Sequence, residues 1–169
     1  MEAIEAILSR RSVRKYTGVH VTDEQVKTLL EAAMAAPSAH NKQPWHFIIV
    51  KDRETLLEIP KFHPYSKMLE QASLAIVVCG DLDLEEGTGF WVQDCSAATE
   101  NILVAAKAIG LGAVWLGVSP FEPLVKSVKT LLKIPENVTP LCIISIGYPF
   151  EEKPPANRYN PERIHQGKW

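Results

Sequence analysis

What this sequence lacks narrows its function before anything it contains. No apolar stretch approaches the roughly 20 residues a helix needs to cross a bilayer. The opening M-E-A-I-E-A-I-L carries neither the basic start nor the cleavage site of a secretory signal. A cytoplasmic protein with no membrane partner is expected. Basic residues are not in excess: 18 Lys plus Arg stand against 20 Asp plus Glu, a net charge of -2. With no broad positive field to hold the phosphate backbone, no nucleic-acid partner is expected either. Cysteine is scarce and odd in number. Cys79, Cys95 and Cys142 each sit inside an apolar segment without C-x-x-C spacing, which points to reduced core thiols rather than disulfides or metal ligands. The five histidines are scattered singly, and no H-E-x-x-H, G-x-S-x-G or Walker loop occurs. Zinc hydrolase, serine hydrolase and P-loop chemistry lose their support, and no metal is expected.

What is present fits one compact unit. A chain of 169 residues, 46% hydrophobic, can bury one proper core, so residues 1–169 are expected to form a single domain. Its densest chemistry lies at Arg10 to Tyr16, R-R-S-V-R-K-Y, which places four cations in six residues. A guanidinium offers a planar fork of donors that grips phosphate or carboxylate in bidentate fashion, and Ser12 adds a short hydroxyl in the middle. On its own the cluster reads either as a phosphate clamp or as a solvated basic turn. A second unusual stretch is Ala36 to Phe47, A-P-S-A-H-N-K-Q-P-W-H-F. Two prolines stiffen it around Ser38, His40, Asn41 and Gln43, and amide side chains can read the edge of a heteroaromatic ring because each sets an acceptor beside a donor. The alternative is a polar surface loop.

Periodicity frames these two stretches. Residues 2–9 put Ile4, Ile7 and Leu8 on one helical face, delivering the arginines to the helix end. Thr22-Asp23-Glu24-Gln25 reads as a capping box for a helix running toward Pro37, and Ser119-Pro120-Phe121-Glu122 as another. Runs at 47–50, 74–79, 113–116 and 141–146 are continuously apolar, as in strands covered on both faces, which predicts an α/β or α+β sandwich. Residues 90–109 form the longest predicted helix, apolar nearly all round, so the sheet and a second subunit are expected to bury it. Gly110-Leu111-Gly112 follows that helix and precedes a strand, the wrong order for a dinucleotide fingerprint. Residues 60–72 receive no role from pattern. The tail from 150 is polar and proline-containing, and its Ile164 and Trp169 favour a segment laid across another surface.

R-R-S-V-R-K-Y at 10–16 and A-P-S-A-H-N-K-Q-P-W-H-F at 36–47, with the helix 90–109 and its G-L-G, W-L-G at 115–117 and I-G-Y-P at 146–149, resemble the motifs of the FMN-dependent nitroreductase family over essentially the whole chain. The resemblance implies an α+β fold, an α/β/α sandwich with a central mixed sheet, in a domain-swapped homodimer whose 150–169 tail crosses to the partner. It implies FMN as cofactor, NADH or NADPH as electron donor, and a small-molecule acceptor such as a nitroaromatic or quinone. Arg10, Arg11 and Ser12 would hold the phosphate and ribityl end, with Arg158 adding a phosphate contact. Arg14 would sit near the pyrimidine side, and Leu116 and Gly117 would approach the ring. From the second subunit, Pro37, Ser38, Ala39 and Asn41 would line the ring, with Gln43 beside them. A cation near the flavin N1 region stabilises the reduced anion, so Arg14 is expected to tune the potential while no side chain acts as acid or base. Two departures stand out. Ala156-Asn157-Arg158 lacks a second basic residue frequent in relatives, and residues 60–72 and 81–90 are short, implying a more open site. A specialised flavin enzyme of the same fold, such as a dehalogenase or flavin-cleaving enzyme, and a non-enzymatic FMN-binding protein remain alternatives at this level.

Overall fold

The chain folds around one sheet whose two faces carry separate helical layers. A computed structural model describes residues 1–169. The strands are β1 (Trp45–Val50), β2 (Leu74–Asp81), β3 (Gly112–Gly117) and β4 (Val138–Gly147), in the order β1-β2-β4-β3. In chain order the helices are α1 (Ala3–Ser9), α2 (Asp23–Met34), α3 (Arg53–Glu58), α4 (Leu82–Glu85), α5 (Trp91–Ala108) and α6 (Glu122–Leu132). Alternation along β2 explains the sandwich. Leu74, Ile76 and Val78 turn toward α2 and α5, while Ala75, Val77 and Cys79 turn toward α3, α6 and the turns of residues 59–70. Both faces are apolar because both are covered, which is why the strands read as unbroken apolar runs.

Three expectations need correction. The sheet is not mixed: all three strand pairings are antiparallel, and the single parallel contact is the isolated bridge of Ser12 to Ala113. Unbroken apolar runs report burial on both faces, not strand direction. The Thr22 capping box is present, with Gln25 N–H donating to Thr22 Oγ1 and Thr22 N–H to Gln25 Oε1. The Ser119 box is absent. There the N–H groups of Val118 and Ser119 both donate to Leu141 O, holding the chain on the sheet, and α6 begins three residues later with Pro123 in its first turn. Finally, α1 buries Ala6, whereas Ile4, Ile7 and Leu8 are each more than half exposed. Its small residue faces inward and its large ones face out.

Close packing at glycine fixes the arginine segment. Gly112 and Gly147 are cross-strand partners on β3 and β4. A Cβ on Gly112 would lie 2.7 Å from Val13 Cγ1, and one on Gly147 would lie 2.8 Å from Tyr16 Cδ1. Two hydrogen-only positions therefore make the groove that receives the two apolar members of R-R-S-V-R-K-Y. Tyr16 is buried, and its hydroxyl lies 3.0 Å from both Val13 O and Ser145 Oγ and 3.1 Å from Ser145 O.

The thiols lie where their segments put them. Cys79, Cys95 and Cys142 are all free and fully buried. Burial, reinforced for Cys79 and Cys95 by neighbouring thiols, pushes each up to about 12. In the unfolded chain a thiol ionises near 8.5. The stability from keeping these groups neutral is therefore whole below that value and is lost progressively as pH rises toward 12.

Two outcomes follow from this packing. Gly147→Ala forces Tyr16 out of its groove and is expected to destabilise by about 1–3 kcal/mol in urea titration; an unchanged midpoint would show that the groove has slack. A thiol reagent at pH 8 is expected to leave the native chain unlabelled and to modify all three cysteines in denaturant, and native labelling at the denatured rate would contradict the burial.

Candidate functional site

Residues 10–15 run beside β3, with Val13 N–H donating to Ala113 O at 3.0 Å. Because Val13 and Tyr16 point into the glycine groove, the charged members are left outside it. They divide. Arg10 Nε lies 3.3 Å from Glu100 Oε1 on α5, and the Arg11 guanidinium donates to Pro154 O. Both line a recess of about 270 Å³ that also receives Lys107 and Lys153. Ser12 lends its carbonyl to Lys153 Nζ at 3.3 Å. Arg14 has neither hydrogen bond nor ion pair, and it faces a different and larger space.

That space is a cavity of about 1290 Å³ between the end of β3, residues 62–68 and the start of α6. Trp115, Leu116 and Gly117 form one wall, Phe62 and Met68 another, and Leu124 of α6 a third. Arg14 and Lys67 are its cations, and no carboxylate lines it. An apolar slot with two cations and no acid suits a flat, anionic aromatic molecule. Residues 60–72, which pattern left without a role, supply much of it. His63 is the structural key to that loop: it is 2% exposed, with Nε2 2.9 Å from Gly117 O and Nδ1 3.3 Å from Tyr65 N. Sequence reasoning missed both His63 and Lys67. The available signal was the pair Pro60 and Pro64 around a lone histidine, the same stiffening that marked residues 36–47.

The 36–47 stretch is held in a strained shape by its own side chains. His40, Asn41 and Gln43 all adopt positive φ, at 51°, 54° and 49°, without a glycine among them. Ser38 Oγ accepts from Gln43 N–H at 2.9 Å, and Gln43 Nε2 donates to Asn41 Oδ1 at 2.8 Å. Lys42 pairs with Glu86 at 2.5 Å. From α5, Asp94 Oδ1 accepts the Ala39 N–H at 2.9 Å, while its Oδ2 is buried without a partner. Strain of this kind concentrates at functional sites.

Within one chain the twelve residues named from the sequence therefore occupy four places. Arg14, Leu116 and Gly117 meet at the large cavity, and Arg10 and Arg11 flank the small recess beside Ser12. Pro37, Ser38, Ala39, Asn41 and Gln43 form the strained loop, which lines neither space. Arg158 is exposed in the tail beyond Pro154, where the hydrogen bonds are internal to the tail.

The Nitroreductase family model matches residues 7–148. A protein of Methanothermobacter thermautotrophicus, provisionally named an NADH dehydrogenase/NAD(P)H nitroreductase, is 50% identical across 100% of this chain and 88% of its own. A crystal structure of a protein with the same provisional name from Parabacteroides distasonis superimposes with a TM-score of 0.95 at 42% identity, covering 99% of this chain and 98% of the other. An FMN-dependent nitroreductase of Clostridium difficile gives 0.90 at 33%, covering 98% and 99%. No helix is long and apolar enough to cross a membrane.

Asp94 gives the local test. Asp94→Ala removes the acceptor that holds Ala39 and is expected to cost about 1–3 kcal/mol in urea unfolding, whereas Asp94→Asn keeps an acceptor and should cost less than about 1 kcal/mol. Equal losses in the two variants would show that the hydrogen bond contributes nothing.

Proposed function

This chain belongs to the nitroreductase family, and we propose that it is an FMN-dependent oxidoreductase working by a ping-pong cycle in which electron donor and acceptor take turns in one cavity. The observation that carries the reading is the unpaired Arg14 facing an apolar, carboxylate-free cavity of about 1290 Å³. The residues present fit FMN: a flat ring needs an apolar slot with a cation near its pyrimidine side, and a phosphate needs guanidinium donors. When bound, FMN supplies two-electron carrier chemistry, taking hydride from NADH or NADPH and delivering it to a nitroaromatic, quinone or related acceptor.

The protein's own part is binding, orientation and electrostatics. Arg14 would bring positive charge to the region where reduction builds negative charge, raising the potential; Lys67 shares that cavity. Leu116 and Gly117 would lie against the ring. Arg10, Arg11 and Ser12, with Arg158, would hold the phosphate and ribityl end. No carboxylate or free imidazole is required, since hydride moves without a side-chain proton donor.

A second copy would complete the site. Pro37, Ser38, Ala39, Asn41 and Gln43 lie apart from the cavity of their own chain, which supports their serving a neighbour's. Asn41 and Gln43 use one amide group each on one another, leaving an Asn41 NH2 and a Gln43 carbonyl to read a ring edge. The exposed Ile4, Ile7 and Leu8, Val92 of α5, and a tail with Trp169 fully exposed are apolar surfaces consistent with a homodimer across which residues 150–169 extend.

The test is an absorbance spectrum of the purified protein, followed by anaerobic NADH and, separately, NADPH. Flavin bands that bleach on one nucleotide and return with a quinone are expected. A protein that stays colourless and cannot be reconstituted with FMN would overturn the function. In Arg10→Ala/Arg11→Ala, FMN affinity should fall by about 1.5–3 kcal/mol per lost charge-assisted bond; full occupancy there would remove the phosphate role.

A further inference from the structure

Helix α5 carries three charged residues, and two of them are already engaged. Asp94 accepts the Ala39 N–H, and Glu100 faces Arg10. Lys107, in the last turn, is half-buried yet has neither a hydrogen bond nor an ion pair. The carbonyl end of a helix favours a cation, and a lysine stem can lie along apolar surface while its ammonium stays in water. These effects account for a lysine at that position. They do not account for the space it lines, the recess of about 270 Å³ that Arg10 and Arg11 share with it.

The charges around this recess favour an anion. Its cations are Arg10, Arg11, Lys107 and Lys153, and its carboxylates are Glu151 and Glu152. Two positive charges are in excess, and a phosphate monoester carries about two negative charges at neutral pH. Neither carboxylate is paired with Lys107. Glu151 is shared by Lys15 at 3.4 Å and Lys153 at 4.0 Å, and Glu152 is exposed without an ion pair. The other cations are held in place by the chain itself. Lys153 Nζ donates to Ser12 O at 3.3 Å, and the Arg11 guanidinium donates to Pro154 O. A guanidinium has N–H donors to spare after one such contact, so both arginines can still serve a ligand. Leu103 and Leu111, both buried, give the recess an apolar side, over which a charge is less screened than in open water.

We propose that this recess binds a phosphoryl group and that Lys107 is its uncommitted ligand, a cation of α5 that joins the two arginines at the phosphate. The proposal rests on the FMN reading above. That reading offers two sources of the group: the 5′-phosphate of FMN and the diphosphate of the nicotinamide donor.

The experiment compares Lys107→Gln, Lys107→Arg and Glu152→Gln with the unmodified chain by two ratios. The first is the riboflavin Kd over the FMN Kd, measured on the full chain freed of flavin. The second is the KM for NADH or NADPH over that for N-benzyl-1,4-dihydronicotinamide, a donor without phosphate, measured on the FMN-loaded protein. Each ratio isolates the phosphoryl group, so a general loss of stability or turnover cancels. If the group belongs to FMN, Lys107→Gln should lower the first ratio by about tenfold, the low end for a charge-assisted bond, and leave the second alone. If it belongs to the donor, the second ratio should rise by about the same factor and the first should stand. In either case Lys107→Arg should stay near the unmodified value, and Glu152→Gln should move the same ratio in the opposite direction. Both ratios unchanged in Lys107→Gln would overturn the proposal and leave Lys107 a helix-end charge, visible only as a shift in Tm. Should Lys107→Gln not fold, Glu152→Gln decides, because unchanged ratios there overturn the proposal as well. An unmodified chain that neither holds nor takes up FMN would overturn the functional reading and this proposal with it, whereas a flavin-loaded, active protein with unmoved ratios overturns the proposal alone.

Discussion

The groove formed by Gly112 and Gly147 is the constraint on which the rest of this molecule depends. Two paired glycines on β3 and β4 let Val13 and Tyr16 approach the backbone closer than any side chain would allow. Tyr16 then spends its hydroxyl on Val13 O and on Ser145, a polar residue buried within β4. A short irregular segment is thereby held as firmly as a strand. Its charged side chains acquire fixed directions, so Arg14 meets the cavity without an ion pair of its own, while Arg10 and Arg11 lie on the far side near α5. A guanidinium left without a carboxylate keeps its field for a ligand. The family motif thus has two physical layers: an apolar pair that anchors and a basic set that is displayed.

The two sides of the sheet divide the labour. Beneath β2 and β4, α2 and α5 build an apolar layer and carry the strained loop through Asp94. Above them, α6 and residues 59–70 build the second layer and leave the cavity at the end of β3. One layer carries the strained loop and the other the cavity, and within one chain the loop does not line that cavity. The loop is costly to hold, with left-handed residues at 40, 41 and 43. Non-glycine residues there cost of order 1–3 kcal/mol each and persist only where neighbouring bonds over-determine them.

Much of this was legible from the residues themselves. The four strands, the Thr22 box, α5 and the buried thiols follow from periodicity and apolar runs, and the two motif stretches carry the family. Other features escaped because they depend on tertiary placement. Strand direction cannot be read from runs such as Leu74 to Cys79, because parallel and antiparallel strands covered on both faces look alike. Ser119 matches a capping pattern, yet its N–H is taken by Leu141 on the sheet. Asp94 is one of the few charges on α5, and its partner cannot be read from the helix because the loop it holds comes from residues 38–43, more than fifty positions earlier. His63 and Lys67 sit in a segment without periodicity, and only the folded chain brings them to Gly117 and Arg14.

The tail has a consequence in polymer terms. Its last ties to the body are Lys153 to Ser12 and Pro154 to Arg11. From Pro155 to Trp169 the segment can reach about 50 Å when extended, against a radius of gyration of about 15 Å for a chain of this length. A strap with that reach, once seated on a neighbour, turns each later contact into an intramolecular event at millimolar effective concentration. Its anchor points on the body are Ser12 and Arg11, members of the arginine cluster, so a pull on the strap would be felt first by that cluster.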